Sequence, residues 1–277
     1  MAKTWLITGC STGFGRVLAE AALDRGDQVV VTARNPDTVA DFVERYPDLA
    51  RSVALDVTKP GDAAAAVALA EQEFGGLDIL VNNAGYGLVG AIEEVDPQEY
   101  RPMFETNLFG LIETTRAALP ALRRTGGGRI VNISSVGGLT ARAGFGLYSS
   151  TKFAVEGLSE ALADEVTPFG ISVIIVEPGA FRTDFLGRSL AAATKQLGEY
   201  EATAGRARAY RDSDNGLQAG DPARGIAVLL KAIDAEQPPL RLPLGADAYG
   251  RIRTKLDQFG KEMAAWEAEA TATGFEG

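Results

Sequence analysis

"TWLITGCSTGFGRVLAEAAL", residues 4–23, is the stretch whose reading decides the fold. It begins as an apolar run, Trp5-Leu6-Ile7, breaks into glycines at 9, 13 and 15, and resumes as an amphipathic stretch of alanines and leucines. That is the pattern of a strand, a glycine loop and a helix. Gly9 permits the tight turn, Gly13 lets the backbone approach a pyrophosphate, and Gly15 lets the helix pack closely on the sheet. The helix start then offers free N–H groups and the positive end of its dipole to the phosphates. A glycine triplet by itself is weak evidence; the strand before it and the helix after it supply the confirming context. The loop therefore predicts a dinucleotide cradle built from Gly9, Ser11, Thr12, Gly13, Phe14 and Gly15.

Outward from this stretch the alternation continues. Apolar runs at 28–33, 52–57, 77–83, 129–134, 171–177 and 240–245 predict further strands. They are nearly continuous in Val, Ile and Leu, as strands buried on both faces require. Helices are expected at 14–25, 37–45, 61–74, 97–124, 149–168 and 222–235, with Pro97 and Pro222 starting two of them behind the N-caps Asp96 and Asp221. Strands alternating with helices mean βαβ units and a parallel sheet. No linker or repeat divides the chain, so residues 1–277 read as a single α/β domain. Residues 184–220 lack a strand-like run and follow the turn after the sixth strand, where open α/β sheets bind ligands. They read as a substrate-binding loop or lid rather than as a surface decoration. The tail, 265–277, is expected to be partly frayed.

Bulk composition narrows the chemistry. The 277 residues are 46% hydrophobic and 23% charged, an ordinary globular balance. The 27 basic and 37 acidic side chains leave a net charge of −10, which argues against nucleic acid and against anionic membrane surfaces as partners. No apolar run is long enough to span a bilayer, and the start shows no signal-peptide pattern. Cys10 is the sole cysteine, so no internal disulfide can form, and a cytoplasmic protein is expected. There is no histidine. Ser-His-Asp and Cys-His catalysis and histidine-based zinc sites are thereby excluded, and no metal site is expected.

A chain without histidine must find its acid elsewhere. "YSSTK", Tyr148 to Lys152, places a phenol and an ammonium four residues apart. On a helix they share one face, roughly 5–6 Å apart at Cβ. Unperturbed, the two titrate near ~10 and ~10.4. An ammonium beneath the phenol would stabilise phenolate, lower its pKa and make Tyr148 a usable acid/base. Alone, such a pair is more often a solvated helix face, and Ser135, at the end of "IVNISS", reads by itself as a strand-end cap. At the nucleotide end, Arg34 falls nineteen residues after Gly15, where an NAD site usually carries an acidic residue. A guanidinium there can pair with a 2′-phosphate, so NADP(H) is favoured and NAD(H) left open. Asp37 follows Pro36 and reads as a helix-start residue. Arg182, Arg188, Arg206, Arg208 and Arg211 either meet an acidic substrate or are simply solvated. Phe145 and Tyr86 are either apolar walls of a substrate pocket, with Gly137 and Gly138, or core fillers.

Together, "TGCSTGFG" (8–15), "NNAG" (82–85), Ser135, "YSSTK" and "EPGAFRTDF" (177–185) resemble the short-chain dehydrogenase/reductase (SDR) family, in its NADP(H)-preferring carbonyl reductase/alcohol dehydrogenase type, over most of residues 3–184. The resemblance implies a doubly wound Rossmann fold whose seven parallel strands run in the order 3-2-1-4-5-6-7. It implies that Asp56 and Val57 contact the adenine ring, and that Asn83, Ala84 and Gly85 line the adenosine ribose and support the sheet. Ser135 and Tyr148 would hold a carbonyl oxygen while hydride reaches its carbon, and Tyr148 would protonate the alkoxide. Lys152 would hold the nicotinamide ribose and help refill the proton. Asn107, in "ETNLFG", would complete the relay through water. Pro178 and Gly179 would shape the nicotinamide pocket, with the Phe181 backbone and the Thr183 hydroxyl on the carboxamide and phosphates. One departure stands out: Thr12 occupies the place where some NADP-preferring relatives carry a second basic residue. The resemblance implies a small-molecule carbonyl or alcohol substrate with a bulky, apolar body. It also implies a homodimer or homotetramer through helices 97–124 and 149–168. Competing classes are an isomerase or epimerase on the same fold, and a nonenzymatic nucleotide-binding regulator.

Overall fold

The structure is a computed structural model and describes residues 2–275. Its strands are β1 (Thr4–Ile7), β2 (Gln28–Ala33), β3 (Ala50–Ala54), β4 (Ile79–Asn82), β5 (Gly87–Val89), β6 (Gly128–Ile133), β7 (Ile171–Pro178), β8 (Leu190–Ala192) and β9 (Arg241–Leu244). Seven of them form one parallel sheet in the order β3-β2-β1-β4-β6-β7-β9. Counted along this sheet alone, that is the expected 3-2-1-4-5-6-7.

The helices are α1 (Gly13–Asp24), α2 (Ala40–Arg45), α3 (Asp62–Phe74), α4 (Pro97–Phe104), α5 (Gly110–Arg124), α6 (Gly146–Val166), α7 (Ala204–Ser213), α8 (Pro222–Asp234) and α9 (Ala246–Thr271). Side chains alternate across the strands, which explains the continuous apolar runs. Trp5, Ile7, Val29 and Val31 face α1 and α8, meeting Leu18, Leu23, Ile226 and Leu229. Leu6, Val30, Leu80 and Ile130 face the other way, meeting Val67 of α3, Leu122 of α5 and Leu162 of α6. Both faces are thus dry, and the polar work moves to the strand ends.

The strand order reverses between β1 and β4, which opens a crevice at their C-terminal ends. Here two sequence motifs prove to be one hydrogen-bonded unit. Asn83 Nδ2 donates to Thr8 O and Gly9 O (2.8 and 2.9 Å), and Thr8 Oγ1 accepts from the N–H groups of Asn83 and Ala84 (both 2.9 Å). A Cβ on Gly15 would collide with the Asn83 amide and with Gly9 O, so only glycine lets α1 start this close. Gly9 and Gly13 take φ of +72° and +60°, which favour glycine.

Two expectations are corrected. Residues 97–124 are not one helix: α4 gives way to a π turn over Glu105–Phe109 before α5 begins. Pro102 lies inside α4, where it lacks the N–H for a regular bond, and the wider turn brings Asn107 inward. Residues 184–220 do contain a strand, because β8 pairs with β5 in a separate two-stranded parallel sheet. Three residues were too few to register as a run. The tail is helical from 265 through Thr271 and irregular only over 272–275; residues 276–277 lie outside the described part.

Candidate active site

The strand ends and the loops beyond them enclose a cleft of about 1970 Å³. Its nucleotide half is lined by Gly9, Ser11, Thr12, Gly13, Phe14, Arg34 and the Asn83–Gly85 turn, with Asp56 and Val57 alongside. Gly15 lies beneath the loop instead of lining it. Arg34 is exposed and makes no ion pair among the described residues, so its guanidinium is available to a ligand. Asp37 sits on the following 3-10 turn (Pro36–Val39) and does not line the cleft. Asp56 accepts from the Thr58 hydroxyl and N–H (2.7 and 3.0 Å), which hold its carboxyl below the usual range.

In the other half, Ser135 Oγ accepts from Gly137 N (2.9 Å), which fixes the hydroxyl at the end of β6. Tyr148, in the first turn of α6, is buried against Phe185 and Phe145, with ring centroids 5.7 and 6.5 Å away. Burial pushes its phenol up to about 12, and a hydrogen bond with Ser135 offsets only part of this. Lys152 Nζ donates to Ile133 O (2.7 Å). Burial pulls its ammonium down to about 8, against the attraction of Glu156 one turn further along α6. The ammonium is engaged with the β6 backbone, and desolvation dominates the phenol. Tyr148 stays protonated at neutral pH, the form an acid needs.

Asn107 is buried on its π turn. Its side chain clamps the Tyr86 backbone, accepting from N (3.0 Å) and donating to O (2.8 Å), and also donates to Thr151 Oγ1 (3.2 Å). A Cβ on Gly85 would lie 3.0 Å from Asn107 Oδ1 and 3.8 Å from Lys152 Nζ, so the two groups flank the same glycine. Pro178 ends β7, and a Cβ on Gly179 would collide with the Asp247 carboxylate, which accepts from Ala180 N (2.9 Å). Thr183 lies beside Gly13, while the Phe181 side chain packs on Phe14, centroids 5.1 Å apart; both Thr183 and Phe181 line the cleft. Gly137, Phe145 and Tyr86 line the cleft as expected of a substrate wall. Gly138 does not: it packs against Ser134 and Glu156.

Several residues that shape the site gave no local signal in the sequence. Glu94 is fully buried, accepts from Ala91 N (2.8 Å) and Leu197 N (2.9 Å), and pairs with Arg208 (2.8 Å). Burial alone would raise its carboxyl, but these partners hold it below the usual range. This anchor ties the 184–220 segment to the body, so Arg208 is structural. Arg211 pairs with Asp212 and Arg182 donates to Gln218 O, whereas Arg188 and Arg206 line the cleft without an ion pair among the described residues.

Behind Lys152 lies a second cluster. Glu156 accepts from Ser134 Oγ (2.6 Å) and Arg241 Nε (3.3 Å). Glu177, on β7, is fully buried with neither oxygen hydrogen-bonded; Arg241 Nε stands 3.7 Å away. Burial, helped by the charge on Glu156, pushes Glu177 up to about 8. The folded state therefore keeps a proton that the unfolded state releases above the usual carboxylate range. Stability contributed by the protonated form is lost as pH rises toward 8. Glu177→Gln should flatten the fall in Tm between about pH 5 and 8 in thermal melts; parallel wild-type and variant curves would contradict this.

With this geometry in view, residues 3–193 match the model of the short chain dehydrogenase family. The chain belongs to that family and is an oxidoreductase with a nicotinamide nucleotide cofactor, NAD(H) or NADP(H). It is 39% identical over 249 residues to the oxidoreductase BOA17 of Botryotinia fuckeliana, covering 90% of each chain. A short-chain dehydrogenase from Streptomyces avermitilis superposes with a TM-score of 0.93 at 46% identity, covering 99% of this chain and 100% of that one. A 3-ketoacyl-(acyl-carrier-protein) reductase from Brucella melitensis complexed with NADH superposes with a TM-score of 0.74 at 28% identity, covering 87% of this chain and 96% of that one. ElxO with NADP bound gives 0.74 at 26% identity, covering 90% and 100%.

Proposed function

We propose that this oxidoreductase reduces a ketone or aldehyde to an alcohol, and catalyses the reverse, with NADP(H) as the preferred nucleotide. The observation that carries the reading is Tyr148: a buried, protonated phenol beside the Ser135 hydroxyl, facing a cleft lined by a glycine-loop cradle. The nucleotide, when bound, supplies the hydride that reaches the carbonyl carbon. Ser135 and Tyr148 hold the carbonyl oxygen and orient it. Tyr148 gives up its proton to the oxygen as negative charge develops there, and its high pKa keeps that proton in place until then. Lys152, fixed on Ile133 O, places a positive charge behind the phenol and holds the ribose hydroxyls. Asn107 orders the Tyr86 backbone and the Lys152 surroundings, the position from which a water could refill the proton. The aromatic wall of Phe145, Phe185 and Tyr86 suits an apolar body on the substrate.

Arg34 supports the NADP(H) preference, because a carboxylate at that place would repel a 2′-phosphate. The rival within the same family is an NAD(H)-dependent alcohol or steroid-type dehydrogenase, and Thr12 is the residue that favours it. A nonenzymatic nucleotide-binding regulator has no use for an intact Ser135, Tyr148 and Lys152. Self-association through α5 and α6 is part of this reading, supported by Phe109 and Phe153, which are exposed beside and on those helices. The test is isotopic. Nucleotide carrying deuterium at its transferable position should deliver that deuterium to the carbinol carbon of the product; an unlabelled alcohol would overturn the assignment.

A further inference from the structure

Three arginines converge on the loop that joins Ser135 to Tyr148. Arg142 belongs to that loop. Arg206 is on α7, whose Ala204 and Ala207 pack on Gly144 of the same loop. Arg251 is on α9 and donates to Thr140 O (2.8 Å). All three line the cleft. Arg142 and Arg206 make no ion pair among the described residues, and Arg251 bonds only that neutral carbonyl. Arg142 stands close enough to Arg251 to disfavour its charge, which burial disfavours first. The nearby acid, Asp247, is engaged with Ala180 N. In a chain of net charge −10, Arg142 and Arg251 are neighbouring cations that Asp247 offsets only in part and that form no direct ion pair among the described residues. Like charges held together are costly until an anion joins them. The same cleft holds the aromatic wall of Phe145 and Phe185, with ring centroids 6.5 and 5.7 Å from Tyr148.

We propose that Arg142, Arg206 and Arg251 bind an anionic group, carboxylate or phosphate, at the end of the substrate remote from its carbonyl. The inference rests on the carbonyl-reducing reading of the cleft. The substrate class is then a carbonyl compound with an apolar body and an acidic tail. The test compares kcat/KM for a keto acid, its methyl ester and a keto phosphate of equal length. Wild type should favour an anionic member over the ester by about tenfold, as a charge-assisted bidentate contact would give. Arg142→Gln, on an exposed loop residue, and Arg251→Gln should each lower that ratio, and added salt should lower it for wild type. The preferred anion identifies the tail. Equal kcat/KM for acid, phosphate and ester would overturn the subsite while leaving carbonyl reduction intact. No turnover of any member would remove the functional reading and the subsite with it.

A second, independent observation concerns α9. From Arg253 to Thr271 every residue of this helix is exposed. Leu256, Phe259, Met263 and Trp266 recur at spacings of three and four, the seam of a two-helix coiled coil, yet nothing covers them. A helix standing alone in water is marginal, and an exposed apolar stripe marks a contact surface. The charges choose the occupant. The N-terminal half carries Arg253 and Lys255 with one acid, Asp257, on the outer face, and the C-terminal half carries Glu262, Glu267 and Glu269. Turned end for end about Lys261, the helix matches itself. Leu256 meets the partner's Trp266 and Phe259 meets the partner's Met263. On the flanks, Arg253 approaches the partner's Glu267 and Lys255 the partner's Glu269. Lys261 falls on the outer face, away from the seam.

We infer that α9 docks antiparallel against α9 of a second copy of this chain, an isologous contact separate from α5 and α6. Sedimentation of the full chain tests it. Leu256→Glu should halve the assembled mass. Arg253→Glu and Glu267→Arg should each weaken assembly at low salt, roughly tenfold in Kd across the two symmetric contacts, and the double variant should restore it. An unchanged mass in Leu256→Glu, or no rescue by the double variant, would overturn the pairing. Hydrogen-exchange protection of α9 in a monomeric wild type, or its binding to lipid vesicles instead of to itself, would overturn it equally.

Discussion

Tyr148→Phe should lower kcat for carbonyl reduction by about 10²–10⁴ while nucleotide binding persists. The substitution removes one oxygen from a ring whose position is set by Phe145 and Phe185, so the fold has little reason to respond. What disappears is the buried phenol proton beside Ser135, which a pKa pushed up to about 12 keeps in place at neutral pH. Ser135 remains and can still hydrogen-bond the carbonyl oxygen, which accounts for residual turnover. Steady-state kinetics paired with fluorescence titration of the nucleotide separates the two effects. Near-normal kcat in the variant would remove Tyr148 from the chemistry. Loss of nucleotide binding together with kcat would instead make it a cofactor contact alone.

Arg34→Asp should reverse the nucleotide preference. Its guanidinium is exposed at the end of β2 and has no ion pair among the described residues, so no internal contact is lost. A charge-assisted bidentate contact is worth about 1.5–3 kcal/mol, and the new carboxylate adds repulsion of the 2′-phosphate. kcat/KM with NADPH should therefore fall by roughly 10²–10³, while that with NADH stays level or rises. The ratio of the two, measured on one carbonyl substrate, reads the effect directly. An unchanged ratio would mean that the 2′-phosphate is not read at Arg34.

Much of this site could be read from residues close together in sequence. The glycine loop was legible because Gly9 and Gly13 need a left-handed backbone and Gly15 a close approach, demands that only one residue type meets. The strands were legible because both faces of the sheet are dry. What escaped depends on contacts between distant segments. Nothing near Asp247 announces that it will cap the Gly179–Ala180 turn, and Glu94 finds Arg208 only once α7 is in place. The three residues of β8 become a strand only because β5 is there to pair with them. The sharpest lesson is at Tyr148 and Lys152. Their spacing was right for one helix face, but spacing cannot report burial, and burial decides both groups. Burial pushes the Tyr148 phenol up and pulls the Lys152 ammonium down, which their spacing could not report.

The central claim is that this cleft transfers hydride between a nicotinamide nucleotide and a carbonyl carbon. Its most direct measurement is the reduced-nicotinamide absorbance during incubation of the wild-type chain with NADPH, then NADH, against a panel of ketones and aldehydes. The account predicts loss of the absorbance with NADPH, faster than with NADH, and one alcohol formed for each nucleotide oxidised. Binding of both nucleotides with no turnover on any member of the panel would contradict it.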